Sequence, residues 1–315
     1  MKLLSRVKKL KRDIEEPKKE IKKISEVQPT VDDLAEEFNL ELDEHLYSLN
    51  KIPRDRSIDE FHPSEISKDF CPRMWCLMQK NSKLLVSNIE PELRLKFDTG
   101  SEVHTQFQKY YANMKNLWGY YNCRGCKDLC KSVAIGTKPD GCRFNRKAPI
   151  FANYKYNEIK IKDARYKIAG HVDGILYPTL RNKKMLLEIK TCNDQVFTFL
   201  KAPMKEHVVQ ASIYLWCLER MRDDYNRQRE SKKLNPEERE FHKIPFDGTV
   251  FLYYNKNWST RKTFIIPYEE EKLMLQMNPI LEKIQICLDA IEENVLPDGL
   301  CGKKKSKKCC FSGIC

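Results

Sequence analysis

The chain has 315 residues, and its 57 lysines and arginines outnumber its 45 aspartates and glutamates to give a formal net charge of +12. This length suits one medium-sized domain with insertions, and the basic balance favours a polyanionic partner, most commonly nucleic acid. The sequence contains neither an apolar run approaching about 18 residues nor a signal-peptide pattern, so we expect a cytoplasmic protein with no membrane partner. In that reducing compartment, metal binding explains clustered cysteines better than disulfides do.

The amino-terminal region, residues 1–60, differs in composition from the rest of the chain. Residues 1–28 are rich in Lys and Glu with spaced apolar side chains, which predicts a basic amphipathic helix or a partly disordered arm. Such an arm contacts DNA or a partner, or it is only a solvated tail. A short acidic helix over residues 31–49 and a polar linker follow, so the main domain is predicted to span residues 61–315.

Two features lie near the start of this main domain. Cys71 precedes a proline, and a long helix is predicted over residues 92–117. The helix carries His104 four residues after Gly100. A single histidine on a helix is more often a surface or core residue than a ligand, so the interpretation of His104 depends on the motifs that follow it.

A local cluster of cysteines comes after this helix. Cys123-x2-Cys126-x3-Cys130 is followed by Cys142, beyond a Lys-Pro-Asp-Gly turn. Four thiolates at this spacing can close a tetrahedral zinc site. We therefore predict an inserted zinc knuckle over residues 118–145, and reduced thiols without a metal are the alternative.

The most informative residues lie on two consecutive predicted strands. Asp173 stands in the first, within Gly-His-Val-Asp-Gly, and the second contains Glu188-Ile-Lys190. Side chains alternate faces along a strand, so Glu188 and Lys190 should point the same way, with Asp173 in reach on the neighbouring strand. Two carboxylates there suit Mg²⁺ or Mn²⁺, and Lys190 can neutralise charge on a phosphate or orient a water. Glu158, on the preceding strand, is a further candidate acid.

A helix with two polar residues on one face completes the set. Gln210 and Tyr214 lie four residues apart in a helix predicted over residues 204–228. The other predicted elements are strands over residues 154–162, 166–177, 185–191, 249–255 and 261–267, and a helix over residues 269–293. Together these elements predict an α/β fold.

In this order, the motifs resemble the PD-(D/E)XK nuclease superfamily, and specifically its RecB-like exonuclease branch. The matching patterns are G-x-x-x-H at 100–104, G-x-V-D-G at 170–174, E-I-K at 188–190 and Q-x-x-x-Y at 210–214. The resemblance covers roughly residues 60–315 and implies a restriction-endonuclease-like core, with a mixed central sheet flanked by helices in the order α-β-β-β-α-β. It also implies functional roles for six residues. His104, Asp173 and Glu188 would bind the divalent metal, Lys190 would be the catalytic lysine, and Gln210 and Tyr214 would contact the DNA or position the lysine and phosphate.

The same resemblance extends to the cysteines. In the RecB-like branch, including the CRISPR-associated exonucleases and the AddB type, a [4Fe–4S] cluster ties the carboxyl terminus to the start of the nuclease domain. By this resemblance the cluster segment spans residues 297–315. Cys310 is an alternative to Cys309 as a ligand, and a zinc ion is an alternative to the iron–sulfur cluster. The knuckle of Cys123, Cys126, Cys130 and Cys142 resembles a zinc ribbon inserted in some phage members. The implied cluster ligands are Cys71, Cys301, Cys309 and Cys315.

These observations predict a metal-dependent DNA exonuclease that acts on single strands or DNA ends. The expected contexts are recombination, replication, repair or DNA degradation in a prokaryotic or phage-infected cell. The sequence has no ATPase motif, so a helicase activity would have to come from a partner protein. The alternatives are a structure-specific endonuclease with the same core, a non-catalytic DNA-binding or assembly subunit, and a redox or metal sensor built on the iron–sulfur cluster.

Overall fold

The structure is a computed structural model, and it describes residues 31–49, 57, 59–80, 89–123, 133–140, 154–178, 181–227 and 241–299. The chain divides into two compact units, Met1–Lys51 and Ile52–Cys315. In the first unit the described residues form helix α1 (Val31–Ser48), where the sequence predicted an acidic helix. Among the described residues, no helix combines the length and the apolar character needed to cross a membrane.

The second unit has an α/β fold built on a mixed sheet. Its sheet order is β2-β1-β6-β7-β8-β9, with β3 also paired to β1, and β4 and β5 form a separate hairpin. β7 and β8 are parallel, and the other neighbours in this sheet are antiparallel. The strands are β1 (Leu117–Cys123), β2 (Val133–Gly136), β3 (Tyr154–Asn157), β4 (Ile159–Asp163), β5 (Ile168–Val172), β6 (Gly174–Leu176), β7 (Met185–Cys192), β8 (Gly248–Asn255) and β9 (Arg261–Pro267).

Helices cover both faces of this sheet. The helices of the second unit are α2 (Pro63–Ile66), α3 (Pro72–Lys80), α4 (Pro91–Asn113), α5 (Asp194–Phe199), α6 (Lys205–Arg227) and α7 (Glu270–Glu292). On β7, Leu187 and Ile189 belong to the core cluster that includes Ala112 of α4, whereas Leu186 belongs to the larger cluster beneath α6 and α7. A strand that is buried on both faces has a nearly continuous run of apolar residues. This burial explains why β7 begins Met-Leu-Leu-Glu-Ile, with apolar residues on both faces.

Two strands that the sequence predicted as continuous are each interrupted at an acid. The predicted strand 154–162 breaks at Glu158 between β3 and β4, and the predicted strand 166–177 breaks at Asp173 between β5 and β6. β3 and β6 lie one after the other along β1, and the β4–β5 hairpin leaves the sheet between them. The innermost pair of that hairpin, Ile159 with Val172, therefore holds the two acids side by side at its base.

Gly174 allows the chain to rejoin the sheet as β6 after the β4–β5 hairpin. A Cβ atom at Gly174 would stand 2.6 Å from Cδ1 of Leu117, which is fully buried on the neighbouring strand. A larger residue therefore fits there only if the buried Leu117 side chain shifts. The glycine that follows Asp173 in the sequence motif is thus explained by the close approach of β6 to β1.

Candidate metal centre

Three side chains from separate elements meet at the base of the β4–β5 hairpin. His104 comes from α4, and Glu158 and Asp173 come from the two strand breaks. One ligand atom from each residue can be chosen so that all three lie within 4.8 Å of one another. Three donors thus converge on one position, as a metal centre requires.

Hydrogen bonds fix the orientation of these donors. His104 Nδ1 lies 3.1 Å from Asp173 Oδ1, and the backbone N–H of Ile189 donates to Asp173 Oδ2 at 2.7 Å. The buried amide of Gln108 donates both to Glu158 Oε1 at 2.9 Å and to the carbonyl oxygen of Asp173 at 2.8 Å. Gln108 therefore holds the two strand breaks together from one helix turn beyond His104.

The electrostatics of the three donors fit a cation. Removal from water and the neighbouring charge of Asp173 both raise the pKa of Glu158. Burial lowers the pKa of His104, but the Asp173 carboxylate outweighs it and leaves that pKa above its usual value. The Asp173 carboxylate thus contributes to both shifts, and a bound divalent ion would compensate its charge.

Glu188 lies beside these donors, in contact with the lysine of its own motif. Its side chain is only 1% exposed, and Glu188 Oε1 lies 2.6 Å from Lys190 Nζ. Burial raises the pKa of Glu188, and Lys190 offsets part of that rise. Glu188 Oε2 is buried and has no hydrogen-bond partner among the described residues. An orphaned buried carboxylate oxygen is costly, so this atom fits a metal ligand better than a purely structural acceptor.

Gln210 contacts Lys190, and Tyr214 contacts Gln210. Lys190 Nζ donates to Gln210 Oε1 at 3.0 Å, and Gln210 Nε2 donates to the Tyr214 hydroxyl at 3.1 Å. Gln210 is 7% exposed and Tyr214 is 6% exposed. Both side chains are therefore buried, and Gln210 contacts both Lys190 and Tyr214.

Two residues near the site were missed by sequence reasoning. One is Gln108, which the helical spacing of four residues from His104 could have revealed. The other is His207 on α6, whose Nδ1 lies 2.7 Å from the Tyr253 hydroxyl. Burial and the nearby charge of Lys190 lower the pKa of His207 to about 4. Because it is neutral above that pH, His207 adds no positive charge beside the lysine.

Most of the predicted cysteine ligands lie outside the described residues. This holds for Cys126, Cys130, Cys142, Cys301, Cys309 and Cys315, and for the alternative Cys310, and only the backbone of Cys123 is described. Cys71 is half-buried just before α3. Arg73 Nη1 donates to the carbonyl oxygen of Pro297 at 3.1 Å. The chain that leads toward Cys301 therefore passes close to Cys71.

Comparisons with known proteins leave the function to be argued from this site. No protein-family model matches the chain, and no curated protein is similar to it. The crystal structure of SSO0001 is similar to this chain with a TM-score of 0.38 and 16% sequence identity. The alignment covers 88% of this chain and 95% of the SSO0001 chain.

Proposed function

We propose that this protein is a metal-dependent nuclease that hydrolyses phosphodiester bonds in DNA. The observation that carries the proposal is the meeting of His104, Glu158 and Asp173 within 4.8 Å of one another, beside the buried pair of Glu188 and Lys190. Two carboxylates and one imidazole are a donor set that accepts Mn²⁺ or Mg²⁺.

Each side chain has a distinct role in this proposal. His104, Glu158 and Asp173 would hold the ion, and Glu188 would add its unpartnered Oε2. The bound ion supplies Lewis-acid chemistry at the phosphate. Lys190, held between Glu188 and Gln210, is the cation that neutralises charge developing on the phosphate oxygens. Gln210 and Tyr214 keep the lysine in place.

The order of elements supports a restriction-endonuclease-like core. Helix α4 precedes the antiparallel strands β1, β6 and β7, and α6 then leads to β8, which is parallel to β7. With β2, β3, the β4–β5 hairpin and α5 set aside as additions, these elements are compatible with the α-β-β-β-α-β order that the resemblance implies. The net charge of +12 supports a DNA partner, and a helicase or a recombination or replication protein remains the proposed protein partner.

The cysteines carry a separate proposal about stability. Cys71, Cys301, Cys309 and Cys315 would bind a [4Fe–4S] cluster, and Cys123, Cys126, Cys130 and Cys142 would bind structural zinc. The contact between Arg73 and Pro297 supports the first assignment because it brings the start of the tail beside Cys71. Iron, sulfide and zinc analysis of anaerobically purified protein tests both assignments.

The decisive experiment is digestion of end-labelled linear single- and double-stranded DNA, and of circular single strands, with Mg²⁺ or Mn²⁺. Wild type is compared with Asp173→Asn, which keeps an oxygen for the Ile189 N–H but removes the charge. Asp163→Asn is the matched control, because Asp163 lies at the far end of the same hairpin and also accepts a backbone hydrogen bond, from Tyr166.

Each result of this digestion has a defined meaning. We expect wild type and Asp163→Asn to degrade linear DNA and Asp173→Asn to lose activity by at least a hundredfold. Cleavage of circles would identify the endonuclease alternative. Binding without any cleavage by wild type would favour the non-catalytic DNA-binding subunit and contradict the proposal.

A further inference from the structure

The amino-terminal half of α4 extends the face of the helix that carries His104. At about 3.6 residues per turn, Phe97, Gly100 and His104 fall on one stripe. Gly100 lies where the end of β7 meets α4, since its Cβ position is 3.7 Å from Thr191 Oγ1. Phe97 is 54% exposed, and it stands about 10 Å from His104 along the helix axis. An exposed aromatic ring therefore continues the line of the metal centre.

A second exposed aromatic ring comes from the turn between β8 and β9. Trp258 in this turn is 70% exposed. Lys256 Nζ, in the same turn, donates to the carbonyl oxygen of Lys96 at 3.2 Å. This bond joins the turn to α4 one residue before Phe97. This contact therefore joins the two segments that carry the exposed rings, α4 with Phe97 and the β8–β9 turn with Trp258, and Gly100 places α4 against Thr191 at the end of β7.

We propose that Phe97 and Trp258 form a stacking platform for the unpaired bases of a DNA strand whose backbone runs to the metal centre. This inference rests on the proposed nuclease function and adds to it where the strand lies.

The chemistry of the platform favours a single strand over other occupants. Unpaired bases offer both faces to aromatic rings, and a basic groove follows their backbone. A duplex keeps those faces stacked internally. A second copy of this chain would bring Lys96 and Lys256 against the same two lysines. An apolar protein segment would leave both cations without a counter-charge.

The tryptophan content provides a direct readout. Of the four tryptophans in the chain, Trp75, Trp118 and Trp216 are buried at 7%, 5% and 7% exposure, and Trp258 is exposed. Stacking of a base on Trp258 should quench the emission of the one ring that a ligand reaches from solvent. A change in tryptophan fluorescence therefore reports on the platform itself.

The experiment is a fluorescence and anisotropy titration of the full chain with a twelve-nucleotide oligothymidine, with Ca²⁺ in place of Mg²⁺. The wild-type emission should be quenched on binding. Phe97→Ala and Trp258→Ala should each raise the Kd roughly 5- to 150-fold. Trp258→Phe should keep the affinity but lose the quench. An oligonucleotide with abasic sites should bind as weakly to wild type as the intact strand binds to the alanine variants.

The matched control is Tyr110→Ala. Tyr110 is an exposed aromatic residue, 51% accessible, on the same helix, but it lies about 140° around the axis from Phe97. Its removal should leave the Kd unchanged. Equal Kd values for all variants, or equal binding of the abasic oligonucleotide, would overturn the platform. Loss of self-association in Phe97→Ala, measured by sedimentation, with an unchanged Kd would assign the face to a second copy instead.

The two proposals fail in different ways. Wild type that binds and quenches but cleaves no DNA with Mg²⁺ or Mn²⁺ would remove the nuclease function and leave the stacking platform standing. Wild type that cleaves DNA without any change in tryptophan emission would remove the platform and leave the nuclease.

Discussion

Polar side chains beneath the metal centre form one chain of contacts from Glu188 through Lys190 and Gln210 to Tyr214. In a buried setting, each unsatisfied polar atom costs about 1–3 kcal/mol, so a chain of this kind is stable only when its members satisfy one another. Glu188 Oε2 is the exception. Among these residues, Glu188 Oε2 is therefore the atom that is free to accept a further ligand.

Substitution of Gln210 tests whether it positions Lys190. Gln210→Ala removes the acceptor 3.0 Å from Lys190 Nζ, and we expect kcat for DNA hydrolysis to fall about 10- to 100-fold, the usual effect of losing such a supporting contact. The Kd for DNA, measured with Ca²⁺, should not change, because Gln210 is buried. Tyr214→Phe should have the same effect to a smaller degree.

Ser212→Ala is the control for this prediction. Ser212 is a buried polar residue on the same helix, but it bonds to Val208 and to Gln276 of α7, away from the site. It should leave kcat unchanged. A parallel loss of kcat and of DNA affinity in Gln210→Ala would instead mean that Gln210 contacts the DNA.

Lys184 predicts a pH dependence of stability that is independent of the metal centre. It is 1% exposed, and burial lowers its pKa to about 7 from 10.5. Below about pH 7 both the folded and unfolded chains hold the proton, so the cost of the buried charge is present in full. Between about pH 7 and 10.5 only the unfolded chain holds it. The free energy of unfolding should therefore rise with pH in that window, by up to about 1.4 kcal/mol per pH unit.

Urea unfolding at pH 7 and pH 9 measures this contribution. Lys184→Met is the comparison, since it keeps an apolar stem of similar length among Phe241 and Phe246 without the titrating group. The wild type should gain stability relative to the variant between the two pH values. A constant difference would contradict the assignment and would mean that the two carbonyl bonds to Phe241 and Ile244 keep Lys184 charged.

At the level of elements, the β4–β5 hairpin explains how the candidate metal ligands are brought together. Sequence periodicity predicts strands here, because β4 alternates buried and exposed residues. Periodicity does not reveal that the strands leave the sheet at Glu158 and Asp173, because that depends on the position of β1, which comes from a distant part of the chain. The acid pair is thus a product of tertiary pairing. For this reason Asp173 was identified from its motif, whereas Glu158 was only a secondary candidate.

Gly174→Ala tests the steric basis of this arrangement. The added methyl group would stand 2.6 Å from Leu117 Cδ1, and overpacking of this kind costs about 1–3 kcal/mol. Because Gly174 follows Asp173, the affinity for Mn²⁺ should also fall. Leu117→Val removes the opposing atoms. We expect the double variant to be more stable than the sum of the two single changes predicts, as measured by urea unfolding. Strict additivity would place the strain elsewhere.

For the whole molecule, the sequence predicted the α/β class, most of the strands, and the proximity of His104, Asp173, Glu188 and Lys190. These features depend on local patterns and on motif order. The helical spacing from His104 places Gln108 on the same face, but its role depends on the two strand breaks that it joins. His207 has no distinctive pattern in the sequence until its contact with Tyr253 is known. The exposed pair of Phe97 and Trp258 required the tertiary contact between the β8–β9 turn and α4.

The net charge of +12 predicts that DNA binding depends steeply on salt concentration. Measuring this dependence in variants shows which basic segments contact the phosphates. Each phosphate that a single strand places against a lysine or arginine adds about −0.7 to the slope of log K against log salt concentration. The sequence Lys-Lys-Lys-Ser-Lys-Lys at 303–308, which lies outside the described residues, offers five cations. If all five contact phosphates, replacing them with serine should make the slope shallower by about 3.5.

Two further variants make this measurement specific. Replacement of Lys160 and Lys272, which are exposed on β4 and α7, tests whether the loss of two surface charges by itself changes the slope, and the slope should stay nearly unchanged. Deletion of residues 1–28 tests the amino-terminal arm by the same measure. An unchanged slope after deletion would identify the arm as a solvated tail, whereas a shallower slope would identify it as a DNA contact. If the variant lacking the five lysines kept the wild-type slope, the phosphate contacts would have to come from other parts of the chain, and Lys96 and Lys256 beside the proposed stacking platform are the first residues to substitute.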